Sequence, residues 1–211
     1  MDDIVAAFRE TLLSVDGIGA EKLALQNVDP KHPFSFVERV MVPVLEEIGV
    51  GWERGTYSLA HVYMSSRICE RIADTILPPA DAGTRGGPKT AIAVLNDHHL
   101  LGKKIVYSAL RAGGFEVLDY GQCSVEEVLA GCERDDLEVL LISVLLYPSA
   151  LETARVVEGL ADSGRGTRVV VGGAPFRLDP DLYKRVGADD VGYSAFDALR
   201  IMRDIEGGGR S

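Results

Sequence analysis

The sequence predicts an α/β protein: an N-terminal four-helix bundle followed by a five-stranded parallel sheet with helices on both faces. Two observations lead to this prediction. Apolar residues recur at spacings of three and four in the first third of the chain, whereas the rest alternates short β-branched runs with helical patterns. Between the two parts lies a segment rich in proline and glycine, LPPADAGTRGGPK, whose composition is typical of a linker.

The helical bundle is predicted to span residues 1–80 and the linker residues 81–88. Three apolar stripes define helices of the bundle. They are formed by Ile4, Phe8, Leu12 and Leu13, then by Phe36, Val40, Val44, Leu45 and Ile48, and finally by Leu59, Val62, Ile68 and Ile72. The last of these helices is expected between Ser58 and Ile76. With the segment Gly17 to Leu25, this makes a bundle of about four helices.

Residues 89–211 are predicted to form the sheet domain. A short strand is expected at residues 190–193, after four apolar runs that are predicted as strands: TAIAVLN, FEVLDYG, LEVLLISVLL and TRVVVGG. Strands that alternate with helices form parallel sheets covered on both faces, as in flavodoxin-like (Rossmann-like), doubly wound domains. Capping-box patterns mark helix starts at Ser124–Glu127 and Ser149–Glu152 and, more weakly, at Ser194–Asp197.

Charge and composition argue against several classes of protein. The 211 residues carry a formal net charge of −10 without a cluster of basic side chains, which argues against a nucleic-acid partner. No apolar run approaches the ~20 residues of a membrane span, and the acidic N-terminus does not resemble a signal peptide. Cys69, Cys123 and Cys132 match no zinc motif or disulfide framework. We therefore expect a cytoplasmic protein with reduced thiols and no membrane partner.

The loop NDHHLLG, Asn96 to Gly102, follows the first predicted strand and carries the most distinctive polar residues of the chain. In a doubly wound sheet the strand order reverses between the first and third strands, and the loops at their carboxyl ends open a crevice that binds ligands. The segment Ser143 to Tyr147 ends the third predicted strand. The two segments are therefore predicted to meet where this fold binds a ligand.

Each of these features also has an ordinary structural explanation. Asp97 could cap a helix, a single histidine is more often a hydrogen-bonded or exposed residue than a metal ligand, and Gly102 could permit a tight turn. Ser143 could be a small residue in a buried strand, and Gly172–Gly173 an ordinary turn. Their occurrence together, at matching ends of neighbouring strands, favours a binding site.

Three short motifs resemble, in their order and strand positions, the signature of vitamin B12 (cobalamin) binding domains. They are Asp97-x-His99-x-x-Gly102, Ser143-x-Leu145 and Gly172–Gly173. Residues 37–77, with PVLEEIGVGWERGTYSLAHVYMSSRICERI, resemble the helical cap of methyltransferase corrinoid proteins. The resemblance covers nearly the whole chain, from about residue 35 to about residue 205. It implies a helical cap domain followed by a cobalamin-binding domain.

The resemblance implies a role for most residues of the loop. His99 would coordinate cobalt from below in place of the cofactor's own dimethylbenzimidazole base, and Asp97 would hold the second ring nitrogen of His99. Ser143 would bind the carboxylate of Asp97 from the neighbouring strand. Gly102 would let the chain turn tightly beneath the corrin ring. His98 inherits no role and is expected to face solvent or a corrin amide.

The displaced nucleotide tail of the cofactor would enter a slot between the sheet and its helices. Small residues would provide that slot, namely Ser143, Gly172 and Gly173. Leu145 would form an apolar wall, and Tyr193 would lie near the end of the tail.

Two residue pairs, one after the second motif and one after Gly102, lie next to the predicted site. Tyr147 and Pro148 replace the hydroxyl-bearing residues that usually follow the second motif, although a tyrosine can still donate a hydrogen bond to the ring. Lys103 and Lys104 begin the next helix and are expected to be solvated at the surface.

The helical cap would cover the upper face of cobalt and exclude water. Trp52, His61 and Tyr63 are its candidate contacts, although Trp52 could equally belong to the core of the bundle. Light-sensing adenosylcobalamin repressors resemble this region too, with a tryptophan followed ten residues later by glutamate and histidine. Val62 and Tyr63 occupy those two positions here, so the upper-ligand histidine of that motif is absent.

The function that the resemblance implies is methyl transport between partner methyltransferases, with cobalamin alternating between Co(I) and methyl-Co(III). The cofactor would be cobalamin, as cob(I)alamin and methylcobalamin. The partners would be a substrate-specific methyltransferase, a methyl-acceptor methyltransferase and a reductive activase. No nucleophile or carboxylate pair for acid–base catalysis is apparent, so we expect a subunit with no complete active site of its own. Aryl methyl ethers, methylamines, methanol and glycine betaine are all compatible methyl donors.

Two alternative functions stay open. The chain could be a regulatory cobalamin-binding protein that senses light or cofactor supply and acts through a partner. Because Asp97-His98-His99 spells the DHH motif, it could also be a two-metal phosphoesterase, but the additional carboxylates that such a site needs are not found upstream.

Overall fold

A computed structural model describes residues 2–77 and 87–208 of the chain. The chain divides into two compact units between residues 78 and 79. Residues 81–86, most of the predicted linker, lie outside the described residues. Within the described ranges, no helix is both long enough and apolar enough to cross a membrane.

The N-terminal unit is a bundle of four helical stretches, which confirms the prediction. The stretches are α1 (Asp2–Leu13), α2 (Gly17–Asn27), a continuous run of α3 (Pro33–Phe36), a π-helical segment (Val37–Met41) and α4 (Val42–Glu53), and α5 (Leu59–Ile76). The predicted apolar stripes supply the core, in which Phe8, Leu12, Val44, Ile48 and Ile72 are buried. Phe8 and Phe36 meet edge to face with their ring centroids 5.7 Å apart.

The second unit contains a five-stranded parallel sheet in the order β2-β1-β3-β4-β5, so the predicted flavodoxin-like topology is confirmed. The strands are β1 (Thr90–Leu95), β2 (Val117–Cys123), β3 (Val139–Ser143), β4 (Arg168–Gly172) and β5 (Asp190–Gly192). All six residues of β1 are buried, because this strand lies between two others and is covered on both faces. The order reverses between β1 and β3, whose carboxyl ends lie side by side.

Helices cover both faces of the sheet. They are α6 (Leu101–Ala112), α7 (Val125–Asp135), α8 (Tyr147–Asp162), α9 (Ala174–Leu178), α10 (Leu182–Arg185) and α11 (Ala195–Gly208). Buried side chains of α6 and α11 pack with Ile92, Leu141 and Val170 on one face. Buried side chains of α7 and α8 pack on the opposite face with Ala93 and Ile142.

Two of the three predicted helix starts are confirmed. The Ser124 and Glu127 side chains exchange hydrogen bonds with each other's backbone N–H groups, and Ser194 accepts from the N–H of Asp197. The prediction at Ser149 is wrong, because α8 begins two residues earlier with proline in its first turn. Ser149 therefore lies inside the helix, where its hydroxyl is used differently.

Candidate functional site

The loop that leaves β1 is held by β2 and α8 at its first residue. Asn96 has a φ of +44°, a left-handed conformation that asparagine tolerates better than most residues. Its N–H donates to the carbonyl of Cys123 at 2.9 Å, and its own carbonyl accepts from the Ser149 hydroxyl at 2.8 Å. Both backbone groups of Asn96 are thus fixed immediately before the residues of the DxHxxG motif.

The carboxylate of Asp97 is buried and accepts four hydrogen bonds. One oxygen, Oδ1, accepts from the backbone N–H of His99 at 3.1 Å and lies 2.7 Å from His99 Nδ1. The other, Oδ2, accepts from the backbone N–H groups of Leu145 at 2.7 Å and Leu146 at 3.0 Å, where α8 begins. Burial raises the pKa of Asp97, but the four hydrogen bonds outweigh it and bring the pKa to about 2. Asp97 is therefore ionised at neutral pH.

The prediction that Ser143 binds this carboxylate is wrong. Among the described residues, the partners of the Asp97 carboxylate are His99, Leu145 and Leu146. The neighbouring strand does steady the carboxylate, as expected, but through the backbone that follows β3 and not through the serine hydroxyl.

The contact with Asp97 fixes the protonation of the His99 ring. An ionised carboxylate can only accept, so Nδ1 of His99 must carry the proton that lies between the two groups. In the neutral ring the other nitrogen, Nε2, then has a free lone pair, which is the form that binds metal ions. The side chain is 19% exposed. His99 is consequently prepared to act as a single metal ligand at the carboxyl edge of the sheet.

His98 differs from its neighbour. Its side chain is exposed, as predicted, and its Nδ1 lies 3.1 Å from Oε1 of Gln122 on β2. In residues 2–77 and 87–208, no group of three histidine, cysteine, aspartate or glutamate side chains is placed to hold a metal ion. The loop therefore offers one candidate metal ligand, His99, with Asp97 as its supporting carboxylate.

Gly102 lies in the first turn of α6. Its structural requirement is space. A Cβ atom at Gly102 would lie 3.0 Å from the hydroxyl of Ser143, closer than most such contacts allow. The lack of a side chain lets the beginning of α6 approach the end of β3.

A row of four residues, three of them small, crosses the sheet at its carboxyl edge. Val94, Ser143, Gly172 and Gly192 are consecutive register partners on β1, β3, β4 and β5. Residues two positions earlier on β1, β3 and β4 pack against α6 and α11, so the row faces the same two helices. Gly192 was not predicted, although it ends an apolar strand as Gly172 does. We call these four residues the small-residue row.

Gly173 lies outside the small-residue row, and the fold itself requires this glycine. Its φ is +120°, and a Cβ atom would lie 1.8 Å from the carbonyl oxygen of Val144. No side chain can occupy that position without displacing the backbone after β3. The structure therefore explains Gly173 by a close approach between two strand ends.

Tyr147 and Tyr193 are both exposed and lie after β3 and β5. The Tyr147 hydroxyl accepts a hydrogen bond from the guanidinium of Arg185 at 3.3 Å. The Tyr193 carbonyl accepts from the guanidinium of Arg177, with Nε at 3.0 Å. Tyr147 is the first residue of α8 and Tyr193 lies in the loop after β5, so both lie at the carboxyl edge of the sheet.

In the N-terminal unit, Trp52 and Tyr63 are 42% and 50% exposed. The alternative that Trp52 forms part of the bundle core is therefore wrong. Both aromatic side chains are surface groups of the helical unit.

His61 is held in the opposite tautomer to His99. It lies in the first turn of α5, and its Nδ1 accepts the backbone N–H of Ser58 at 3.1 Å, with the Ser58 hydroxyl at 2.8 Å. An accepting Nδ1 carries no proton, so the neutral ring must carry it on Nε2. His61 therefore presents a hydrogen-bond donor where His99 presents a lone pair.

Lys103 corrects another expectation. It was predicted to be solvated, but its side chain is only 7% exposed, and its Nζ lies 2.5 and 2.6 Å from the two carboxylate oxygens of Asp119 on β2. Asp119 and Ser149 were not predicted to support the loop. For Lys103 the sequence held one usable signal, since a lysine four residues after His99 on an apolar helix face is unusual.

Comparisons with known proteins agree with this geometry. Two family models match the chain, both described as the B12 binding domain, at residues 89–200 and 4–76. Trimethylamine corrinoid protein 1 of Methanosarcina mazei is 27% identical over 96% of each chain. The dimethylamine corrinoid protein of Methanosarcina barkeri is 26% identical over 97% of this chain and 94% of its own.

Solved structures show the same fold. The monomethylamine corrinoid protein of Methanosarcina barkeri superposes with a TM-score of 0.82 at 19% identity, covering 97% of this chain and 99% of its own. At that identity the likeness establishes the architecture of helical unit and Rossmann-like domain.

The fold and the site together define a cobalamin-binding protein with a helical N-terminal unit. The chain belongs to the B12-binding family, whose models match both of its units.

Proposed function

We propose that the chain is a methyl-carrying corrinoid protein that receives a methyl group from one partner methyltransferase and delivers it to another. The observation that carries this proposal is the hydrogen bond between His99 Nδ1 and the ionised carboxylate of Asp97, which leaves Nε2 free to bind cobalt. The names of the relatives, trimethylamine and dimethylamine corrinoid proteins, support methyl transfer as the purpose of that site.

The residues present fit a corrinoid. His99 would be the lower axial ligand, and Asp97 would hold its tautomer and orientation. The small-residue row would accommodate the nucleotide tail, since Ser143, Gly172 and Gly192 leave little side-chain volume on the sheet where it faces α6 and α11. Leu145 and Tyr193 would border the tail, and Tyr147 and the exposed His98 would meet the ring from the carboxyl edge. When bound, the cobalt supplies the chemistry by accepting and releasing the methyl group.

The role of the chain is to bind, orient and protect. His99 would hold the cobalt through one neutral ring nitrogen, while Asp97 holds the other ring nitrogen. We further propose that the helical unit covers the upper face and excludes water, with Trp52 and Tyr63 as contacts. His61 would offer an N–H donor there and would leave the upper position of cobalt to the methyl group.

The partners and the state of the cofactor follow from this role. We propose cobalamin as cob(I)alamin and methylcobalamin, a substrate-specific methyltransferase as donor enzyme, a methyl-acceptor methyltransferase, and a reductive activase, all in the cytoplasm. Methylamines are the first donors to test because two relatives carry methylamines in their names.

The test is a methyl transfer reaction with defined components. The chain is loaded with hydroxocobalamin, reduced to cob(I)alamin, and mixed in turn with purified methyltransferases for trimethylamine, dimethylamine and methanol, each with its own methyl donor. We expect the absorbance of cob(I)alamin to convert to that of methylcobalamin with one donor class. A chain that binds cobalamin, shows no conversion with any donor and changes its oligomeric state in light would be a sensor.

A further inference from the structure

Lys103 and Asp119 form a partly buried ion pair beside the loop that carries His99. Lys103 Nζ lies 2.5 and 2.6 Å from the two oxygens of Asp119, and the two side chains are 7% and 38% exposed. Lys103 stands in the first turn of α6, immediately after Gly102 and four residues after His99. The pair therefore joins the beginning of α6 to β2.

The position of Lys103 is unfavourable for the stability of the helix by itself. A positive charge near a helix N-terminus opposes the helix dipole, and burial of an ammonium group carries a desolvation penalty. Asp119 compensates both effects only at the geometry seen here. These costs offset much of the attraction between the two charges. The main effect of the pair is therefore to fix the position of the first turn of α6.

Asp119 is itself fixed by a β-bulge. In the pairing of β1 with β2, Ile92 is opposite Asp119 and Ala93 is opposite Gly121, so Tyr120 is the extra residue. Gly121 adopts a φ of +70° and donates its N–H to Asp119 Oδ1 at 2.8 Å. The carboxylate that receives Lys103 is thus held by the backbone of the bulge.

The end of β2 also holds the other side of the loop. Its Cys123 carbonyl accepts the N–H of Asn96, and its Gln122 side chain bonds to the ring of His98. With Lys103 bound to Asp119, β2 contacts the chain both before and after His99. The loop is therefore held at both of its ends by contacts with the same strand, β2.

We propose that Lys103 is a positioning residue, which, through Asp119 and the bulge of β2, sets the location of His99 for cobalt. This proposal rests on the proposed function, in which His99 is the lower ligand. Removal of the Lys103 ammonium group should lower the fraction of bound corrinoid that His99 ligates. We expect about 10-fold weaker affinity for cobalamin, as when outer partners of metal-binding histidines are removed.

The test uses electron paramagnetic resonance of cob(II)alamin bound to the full chain produced with nitrogen-15. A nitrogen-15 ligand from the protein splits each cobalt line into two, whereas the nitrogen-14 of the cofactor's own base splits it into three. Wild type, Lys103→Met and Lys103→Met/Asp119→Asn are compared. Lys89→Met is the matched control, because Lys89 forms an exposed pair with Asp136 at 2.8 Å in the same unit.

We expect two-line spectra for wild type and for Lys89→Met. In Lys103→Met, part of the signal should change from two lines to three. The double variant should recover thermal stability, since it leaves no unpaired buried charge, and still show the mixed spectrum. A two-line spectrum and unchanged cobalamin affinity in both Lys103 variants would overturn this proposal and leave the proposed function intact. The same holds if the double variant recovers the two-line spectrum together with its thermal stability. A three-line spectrum in wild type would overturn the axial-ligand assignment and this proposal together.

Discussion

The Nδ1 atom of His99 lies 2.7 Å from Oδ1 of Asp97, and this contact determines which ring nitrogen can bind a metal. Burial raises the pKa of Asp97, but this contact and the backbone N–H groups that hold its second oxygen lower the pKa to about 2, so the carboxylate is ionised. The His99 proton therefore lies on Nδ1, and Nε2 is available to cobalt.

Replacing Asp97 by asparagine should weaken cobalamin binding roughly 10-fold, because an amide does not fix the proton on Nδ1 and carries no charge. The measurement is a titration with hydroxocobalamin followed by absorbance. Asp136→Asn is the matched control, since this exposed carboxylate in the same unit pairs with Lys89 at 2.8 Å. Equal losses in the two variants would contradict the assignment of Asp97 as the partner of His99.

Two hydroxyls on α8 should have opposite effects on stability. Ser149 donates to the Asn96 carbonyl, so Ser149→Ala should lower the free energy of unfolding by about 1 kcal/mol. The buried Thr153 hydroxyl has no partner among the described residues, so Thr153→Val should raise the free energy of unfolding by up to about 1 kcal/mol. Urea denaturation of both variants tests this, and a stabilising Ser149→Ala would show that the bond to Asn96 does not form.

Two glycines at the carboxyl edge should separate folding from binding. Gly173→Ala should cost at least about 2 kcal/mol of stability, because its φ of +120° is strained for alanine and its Cβ would meet the Val144 carbonyl. At Gly192 the nearest atom to an added Cβ is 3.7 Å away, so Gly192→Ala should fold normally. The free energy of unfolding and the affinity for cobalamin are measured for Gly173→Ala, for Gly192→Ala and for the bulkier Gly192→Leu. Unchanged cobalamin affinity in Gly192→Leu would contradict the tail site at the small-residue row.

His61 should not ligate cobalt. Its Nδ1 accepts the N–H of Ser58, so its free nitrogen carries a proton. We expect His61→Ala to leave the absorption spectrum of bound methylcobalamin and adenosylcobalamin unchanged, before and after illumination. A spectral change on either cofactor would favour an upper ligand and the sensor function.

The order of strands and most helix starts could be predicted because they depend on local pattern. The alternation of β-branched runs with helical segments dictates a parallel sheet, and the capping box at Ser124 needs only residues within one turn. The residues of the loop, Asp97 and His99, could be found for the same reason, since their contact spans two positions in sequence.

The support of the loop could not be predicted because its partners are distant in sequence. Leu145 and Leu146 bind Asp97 through backbone N–H groups, which no side-chain pattern reveals. Ser149 fitted a capping box, yet α8 begins earlier, and the hydroxyl bonds to a carbonyl 53 residues away. The burial of Lys103 depends on a bulge in β2 that only the three-dimensional pairing creates.

The most direct test of the central claim compares His99→Ala with His98→Ala, its neighbour in the same loop. Each variant and the wild type are produced with nitrogen-15 histidine and loaded with cob(II)alamin, and the electron paramagnetic resonance spectrum is recorded. We predict two-line splitting from a protein nitrogen in wild type and in His98→Ala, and its loss in His99→Ala. Two-line splitting that persists in His99→Ala would contradict the assignment of His99 as the ligand of cobalt.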